Sequence, residues 1–141
     1  MGSISNDIKI EVTPSQAFKY VSDPHNAPRY ISAIRRIEFG PTGTPIEGQV
    51  WRAEAELLGK VRPIDLKLAE LRLGRFVRYT ISGDPPVEIS IKVRPDGDDR
   101  TEVELTVESE SFPSILMNAV LGNMLSGDLR RLKAILENSK A

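Results

Sequence analysis

The residues best suited to chemistry in this chain are few. His25 is the only histidine, and the chain has no cysteine. His25 stands in "SDPHNAPRYI", positions 22 to 31, among Asp23, Pro24 and Asn26. Residues of these types cap and open helices, so the pattern favours a structural turn for His25 over a general base on a pocket wall. A role at the rim of a pocket is the alternative.

Several classes of catalytic site are excluded by composition. Without cysteine there are no disulfides, thiolate metal sites or thiol dyads, and a single histidine excludes a His-rich zinc site. No strained Ser-containing turn accompanies His25, so a Ser-His-acid triad is improbable. The chain also lacks a Gly-rich dinucleotide motif and a Walker motif. We therefore expect no metal and no cofactor, and the catalytic residues, if any exist, are unknown from the sequence.

Asp128 and Arg131 are three residues apart on a predicted long helix, near the edge of its apolar stripe. This spacing favours an ion pair at an exposed helix edge. The alternative is a buried carboxylate, whose raised pKa would suit it to acid or base chemistry.

Arg72, Arg75 and Arg78 cluster around one predicted hairpin. A solvated rim is the favoured interpretation. Arginines at a pocket mouth could alternatively hold a carboxylate or phosphate head group.

Two-residue alternation of apolar side chains predicts the strands that must position these groups. A first strand is expected at positions 4 to 12, with Asn6 facing inward beside isoleucines. Further strands are expected in "QVWRAEAELL", "PIDLKL", "FVRYTIS", "VEISIKV" and "EVELTVES". Short loops between them indicate an antiparallel meander. Alternation does not determine the register between Ala69 and Phe76.

Helical signals lie at both ends of the chain. "TPSQ" has capping-box spacing and predicts a short helix carrying Ala17, Phe18 and Val21. Asn26 and Pro28 predict a second short helix through Tyr30. From Pro113 to about Ser139 the period becomes helical, with Gly122 and Gly127 as interruptions that each cost roughly 1 kcal/mol relative to alanine. Its apolar stripe comprises Ser114, Asn118, Leu121, Leu125, Leu129, Leu132 and Leu136.

Length and composition indicate one domain over residues 1–141. The chain has 141 residues, 40% of them hydrophobic, and a formal net charge of −1. A nearly neutral chain gives no electrostatic reason to expect nucleic acid as a partner. No apolar run approaches the ~20 residues of a membrane span, so we expect a cytoplasmic protein without integral membrane association. The oligomeric state is unknown.

The order of one strand, two short helices, six strands and a long helix resembles the helix-grip fold of the START/Bet v 1-like superfamily. "VSDPHNAPRY", "EGQVW", "RPDGDDRTEV" and "LRRLKAILE" are similar to the polyketide cyclase/dehydrase branch of that superfamily. The resemblance implies an α+β fold, in which a curved antiparallel sheet of about seven strands wraps around a long C-terminal helix, with two short helices after the first strand. It indicates a fold more than an activity.

Small and polar inward positions suggest where a ligand would bind. Ala53 and Ala55 leave volume on one strand, while Asn6, Trp51, Tyr79 and Ser109 need hydrogen-bond partners, which could be each other, water or a ligand. The expected ligand-binding residues are Asn6, Tyr30, Trp51, Ala53, Ala55, Leu66, Leu68, Val77, Tyr79, Ile89, Ile91, Leu105, Val107, Leu121 and Leu125.

The favoured function is the binding of a small hydrophobic molecule, such as a lipid, polyketide or isoprenoid-like compound, between sheet and C-terminal helix. The alternative is a polyketide cyclase or dehydrase that uses the same cavity, and the sequence leaves open whether the protein is an enzyme. A protein-binding role for the outer sheet face is less favoured, because that face shows no apolar patch.

Overall fold

In the computed structural model of the chain, the described residues are 2–57, 59–83, 86–110 and 114–139, and the side chains of residues 57 and 114–120 are outside the description. The elements follow in the order β1 (Gly2–Ile10), α1 (Pro14–Val21), a 3₁₀-helix (Pro24–Asn26), α2 (Ala27–Tyr30), β2 (Ile34–Phe39), β3 (Val50–Leu57), β4 (Lys60–Arg72), β5 (Phe76–Ile81), β6 (Val87–Pro95), β7 (Thr101–Ser109) and α3 (Ser114–Asn138).

The strands form one seven-stranded sheet in the order β1-β7-β6-β5-β4-β3-β2. All neighbouring strands are antiparallel. The predicted helix-grip fold is therefore confirmed. Because β1 pairs with β7, β1 and β2 lie at opposite edges of the sheet. The helices pack on one face of the sheet.

Alternation along each strand places the apolar side chains on the face covered by the helices. Leu68, Tyr79, Ile89 and Val107 form a row of directly paired inward residues across β4 to β7. All four are buried. The inward faces of the predicted strands are thus assigned correctly.

Helix α3 lies along β1 and runs in the same direction. Asn6 Nδ2 donates to Ser126 Oγ at 3.1 Å, Lys133 Nζ donates to the Lys9 carbonyl at 3.0 Å, and Glu11 N donates to a Glu137 carboxylate oxygen at 2.9 Å. Ser126 to Glu137 rises about 17 Å in a helix, and Asn6 to Glu11 rises about 17 Å in a strand. The two elements therefore stay in contact over this whole length.

Three local expectations need correction. β1 spans Gly2–Ile10, because its pairing with β7 begins at Gly2 opposite Ser109 and ends at Ile10 opposite Thr101. β4 continues to Arg72, with an irregular register between Leu68 and Glu70 that alternation alone does not reveal.

The third correction concerns the caps. The capping box between Thr13 and Gln16 is present as predicted. Asn26, in contrast, makes no side-chain cap for α2, and its Nδ2 donates to the Tyr20 carbonyl at 3.1 Å. Asp23 caps instead, by accepting from the His25 backbone N–H at 3.0 Å. The observed side-chain cap is therefore three residues before the predicted one and belongs to the 3₁₀-helix.

We expect Gly127→Ala to raise the free energy of unfolding by up to about 1 kcal/mol, because glycine is a poor residue for a helix interior. An added Cβ would meet only the ends of flexible arginine side chains, the nearest being Arg131 Nη1 at 3.7 Å. Urea denaturation monitored by circular dichroism measures the change. Gly40→Ala is the opposite control: its Cβ would lie 3.0 Å from the Trp51 backbone Cα and closer still to the indole ring. A stability loss at Gly127 would contradict this view of α3.

Candidate functional site

The interior between the sheet and the α1–α2 segment contains a small enclosed void. Its volume is about 10 Å³, which leaves room for about one water molecule. The surface that lines the void is apolar, although two of the lining residues are tyrosines. They are Val21, Pro24, Ala27, Tyr30, Ile31, Ile34, Leu66, Tyr79, Ile89 and Ile91.

Five of the predicted ligand-binding residues line this void: Tyr30, Leu66, Tyr79, Ile89 and Ile91. The other half of the wall comes from α1, the 3₁₀-helix, α2 and the start of β2, and none of it was predicted. Val21 and Ile31 carried a signal, since both are apolar residues next to predicted helix ends. From the segment between α1 and β2, sequence reasoning predicted only Tyr30 and assigned the rest of the wall opposite the sheet to α3, so it missed them.

The two tyrosines of the wall keep their protons. Burial raises the pKa of Tyr30 well above its ordinary value, with nearby Tyr79, Tyr20 and Asp128 adding to the rise. Burial, and next the charge of Asp23, raise the pKa of Tyr79. Both hydroxyls can therefore donate a hydrogen bond at neutral pH, but neither can serve as a base.

The Tyr79 hydroxyl already has a partner, because it donates to the Ser22 carbonyl at 3.2 Å in a buried setting. The Tyr20 hydroxyl is buried and has no hydrogen-bond partner among the described residues. Its ring centroid lies 5.9 Å from that of Tyr30, at a tilt of 44°. Of the possible partners named from the sequence, the Tyr79 hydroxyl therefore has one within the protein.

His25 and Trp51 share one acceptor. His25 Nε2 donates to the Pro41 carbonyl at 2.9 Å, and Trp51 Nε1 donates to the same oxygen at 2.8 Å. Because a carbonyl only accepts, the Nε2 atom carries the proton in this contact. His25 therefore lies in the predicted turn and holds the β2–β3 loop against the buried indole. Trp51 is not a wall of the void.

The remaining predicted site residues fall into two groups. Asn6 is partly buried and bonded to Ser126, while Ala55 and Leu121 are partly buried. The others are buried in the core beside the void but do not line it. They are Ala53, Leu68, Val77, Leu105, Val107 and Leu125. Ser114 and Asn118 of the predicted helix stripe have side chains outside the description.

Asp128 is buried, which corrects the expectation of an exposed helix edge. Only 1% of the residue is exposed. The predicted ion pair with Arg131 is present. An Asp128 carboxylate oxygen also accepts from the Ser32 backbone N–H at 3.3 Å. Burial raises the pKa of Asp128, while hydrogen bonds from Ser32 and the charge of Arg131 oppose the rise. The position of Asp128 at the edge of the helix stripe predicted exposure, but the turn between α2 and β2 covers its side chain.

The two ends of the inward face differ in cover. Near the end where α3 starts, Ile4, Ile81, Val87, Ala55 and Leu121 are only partly buried. At the opposite end more of the inward positions are buried, although Ile8 and Leu71 are only partly buried. Ile10, Val93, Val103, Leu132 and Leu136 are all buried there. Among the described residues, more of the inward apolar side chains are partly covered near the start of α3 than at the opposite end.

This arrangement suits apolar binding better than proton-transfer chemistry. The ring of His25 is engaged by a backbone carbonyl, and the wall tyrosines hold their protons. Within the part of the chain that the structure describes, no three His, Asp or Glu residues are placed to hold a metal ion. No helix there is long and apolar enough to cross a bilayer.

A family model described as "Polyketide cyclase / dehydrase and lipid transport" matches residues 1–138. The chain belongs to this family. No curated protein matches the chain in sequence. Family and fold together suggest a hydrophobic-ligand or polyketide-cyclase-like role.

Solved structures are similar to this chain in fold. A START superfamily protein from Mycobacterium smegmatis has a TM-score of 0.78 at 16% identity, covering 98% of this chain and 99% of that one. The Zhui aromatase/cyclase from Streptomyces sp. R1128 has a TM-score of 0.77 at 13% identity, covering 99% and 95%. Ginseng major latex-like protein 151 from Panax ginseng has a TM-score of 0.71 at 14% identity, covering 94% and 95%.

We expect Tyr79→Phe to lower the free energy of unfolding by about 0.5 to 1.5 kcal/mol, because the Ser22 carbonyl loses its buried donor. Tyr20→Phe is the matched change, since it removes a buried hydroxyl without a partner among the described residues, and it should raise stability by about 1 kcal/mol. Chemical denaturation of both variants gives the comparison. Equal effects of the two substitutions would contradict the assigned hydrogen bonding.

Asp128 makes stability depend on pH. Because its pKa is raised in the folded state, its contribution is fully present below the unfolded pKa of about 4 and is lost as pH rises through the folded pKa. Asp128→Asn removes this titration. The parent's free energy of unfolding, minus that of the variant, should therefore fall from about pH 4 upward. Denaturation curves at several pH values measure it, and a constant difference would refute the assignment.

Proposed function

We propose that this protein binds one small hydrophobic molecule between the sheet and its helices. The observation that carries the proposal is the uneven cover of the inward face. Apolar inward side chains such as Ile4, Ile81 and Val87 are only partly buried near the start of α3, whereas Ile10, Val93 and Val103 at the opposite end are buried. A ligand that covers them would gain about 25 cal/mol for each Å² of apolar surface removed from water.

The void beneath α1 and α2 is the inner end of the proposed site. At about 10 Å³ it does not hold a lipid as it stands. Ligand entry therefore requires side chains to move apart, beginning with the partly covered residues near Ala55 and Leu121. The wall is apolar, so it suits a hydrophobic ligand.

A cyclase or dehydrase activity is the second candidate, and Tyr30 is the observation that favours it. Its protonated hydroxyl lies in an apolar wall, where it could donate to a carbonyl oxygen of a folded poly-β-carbonyl substrate. The protein would then act by holding the chain in a reactive conformation. Binding is the better supported function, because Asp128, the buried carboxylate of the described interior, is engaged by Ser32 and Arg131 and does not line the void.

Native mass spectrometry of freshly purified protein tests the proposal directly. An intact lipid or isoprenoid-like molecule retained by the protein would support binding. Turnover of an added poly-β-carbonyl compound, lost in Tyr30→Phe while the fold is kept, would support the enzyme instead. If no molecule is retained and the apolar dye 1-anilinonaphthalene-8-sulfonate does not bind, the result would argue against both functions.

We expect Ala55→Phe to block binding of that dye, because the added ring fills the partly covered space near the start of α3. The stability should hold, whereas overpacking a filled core would cost about 1 to 3 kcal/mol. Val61→Phe is the matched control, since Val61 lies opposite Glu56 on the outer face and is exposed. Dye titration and thermal melting give the two readouts. Unchanged dye binding with a lower melting temperature would mean that the space is filled by protein.

A further inference from the structure

The turn between β4 and β5 presents an exposed leucine among basic residues. Leu73 is 80% exposed. Arg72 and Arg75 flank it, and Gly74 makes the tight turn with a φ of +80°. We call this turn, residues 72–75, the β4–β5 tip. A single exposed leucine is ordinary, so its neighbours decide whether it has a role.

On one side of the tip lies a basic groove of about 560 Å³, lined by Arg72, Arg75, Lys92 and Arg94, with Glu70 as its acidic member. Arg72 pairs with Glu70 at 2.8 Å, and Arg94 pairs with Glu102. Arg75 and Lys92 are exposed and form no ion pair with any residue that the structure describes. Positive charge is therefore available here, although the chain as a whole has a net charge of −1.

On the other side lies an open groove of about 730 Å³ between α1 and the β2–β3 loop. Leu73 and Leu71 form part of its wall, together with Phe18 and with Lys19 at the rim. The neighbouring Ile46 is 62% exposed. It precedes Glu47, whose carboxylate accepts from the Leu71 backbone N–H at 2.7 Å. Apolar side chains thus extend from the tip along this second groove.

The shape and charge of this region favour a lipid surface over a protein partner. A stable protein interface buries about 800 Å² on each partner, which a protruding turn with one leucine and a neighbouring isoleucine does not offer. A bilayer needs only a few apolar side chains at the acyl boundary, with basic side chains at the level of the head groups. The next turn at this end carries exposed Asp98, Asp99 and Arg100, so it offers no excess of positive charge.

We propose that the β4–β5 tip docks this protein onto an anionic lipid bilayer. Leu73 enters the acyl boundary, with Ile46 beside it, while Arg72, Arg75 and Lys92 contact the anionic head groups. Docking itself requires no bound ligand. It goes beyond the proposed function and does not depend on it, because the tip lies at the opposite end of the sheet from the partly covered residues near the start of α3.

Sedimentation with lipid vesicles tests the docking. The protein should bind vesicles of phosphatidylcholine mixed with phosphatidylglycerol and should bind phosphatidylcholine alone much less. Arg75→Ala should weaken partitioning by about fivefold, the worth of one basic charge near an anionic surface. Leu73→Asp should weaken it by about tenfold or more, because the apolar anchor is lost and an acid is added. Added salt should weaken the parent's binding.

Lys60→Ala and Val61→Asp are the matched controls, because both residues are exposed at the opposite end of β4. They should leave vesicle binding unchanged. An equal loss in the controls, or no preference for phosphatidylglycerol, would overturn the proposal. Sedimentation velocity without lipid adds a further check: a dimer that Leu73→Asp dissociates would make the tip an interface between two copies instead.

The docking proposal and the proposed function can be refuted independently of each other. Ala55→Phe should abolish dye binding and leave vesicle binding intact. Leu73→Asp should do the reverse. If Ala55→Phe abolished vesicle binding while its melting temperature was unchanged, the tip would not be the docking site.

Discussion

The contact of α3 with the edge strand β1 is the constraint on which the rest of the structure depends. Three hydrogen bonds spaced along both elements keep the helix parallel to the strand, from Asn6 and Ser126 to Glu11 and Glu137. Helix and strand advance by equal distances between these contacts, so no bond has to stretch. With α3 held at one edge, the sheet must curve over it to bury its inward side chains.

Asp128 joins the same helix to the other side of the fold. It accepts from the Ser32 backbone N–H in the turn before β2, the opposite edge strand. α3 therefore bridges both edges, and the α1–α2 segment closes the remaining gap. A buried carboxylate is a costly way to make this link, because burial opposes ionisation, and Arg131 offsets only part of that cost.

Most polar groups of the interior serve the fold. His25 and Trp51 both donate to the Pro41 carbonyl, Tyr79 donates to Ser22, and Asn6 donates to Ser126. Tyr30 differs, because it lies in the largely apolar wall of the void, with Tyr79, Tyr20 and Asp128 near it. An interior of this kind discriminates by shape and apolar surface more than by hydrogen bonding, which fits a family whose description spans chemistry and lipid transport.

The sequence by itself determined six of the seven strands, the helices and the inward face of the sheet, because periods of two and 3.6 residues are local properties of the chain. It was weaker where alternation fails: β2, "IRRIEF", has two register irregularities and only one fully buried residue, and β4 is irregular after Leu68. Only the tertiary structure decided which polar side chains meet. Asp128 and Ser32 are 96 residues apart, and Asn6 and Ser126 are 120 apart. Such pairs leave no local pattern, so an aspartate expected at an exposed helix edge is buried once the α2–β2 turn packs over it.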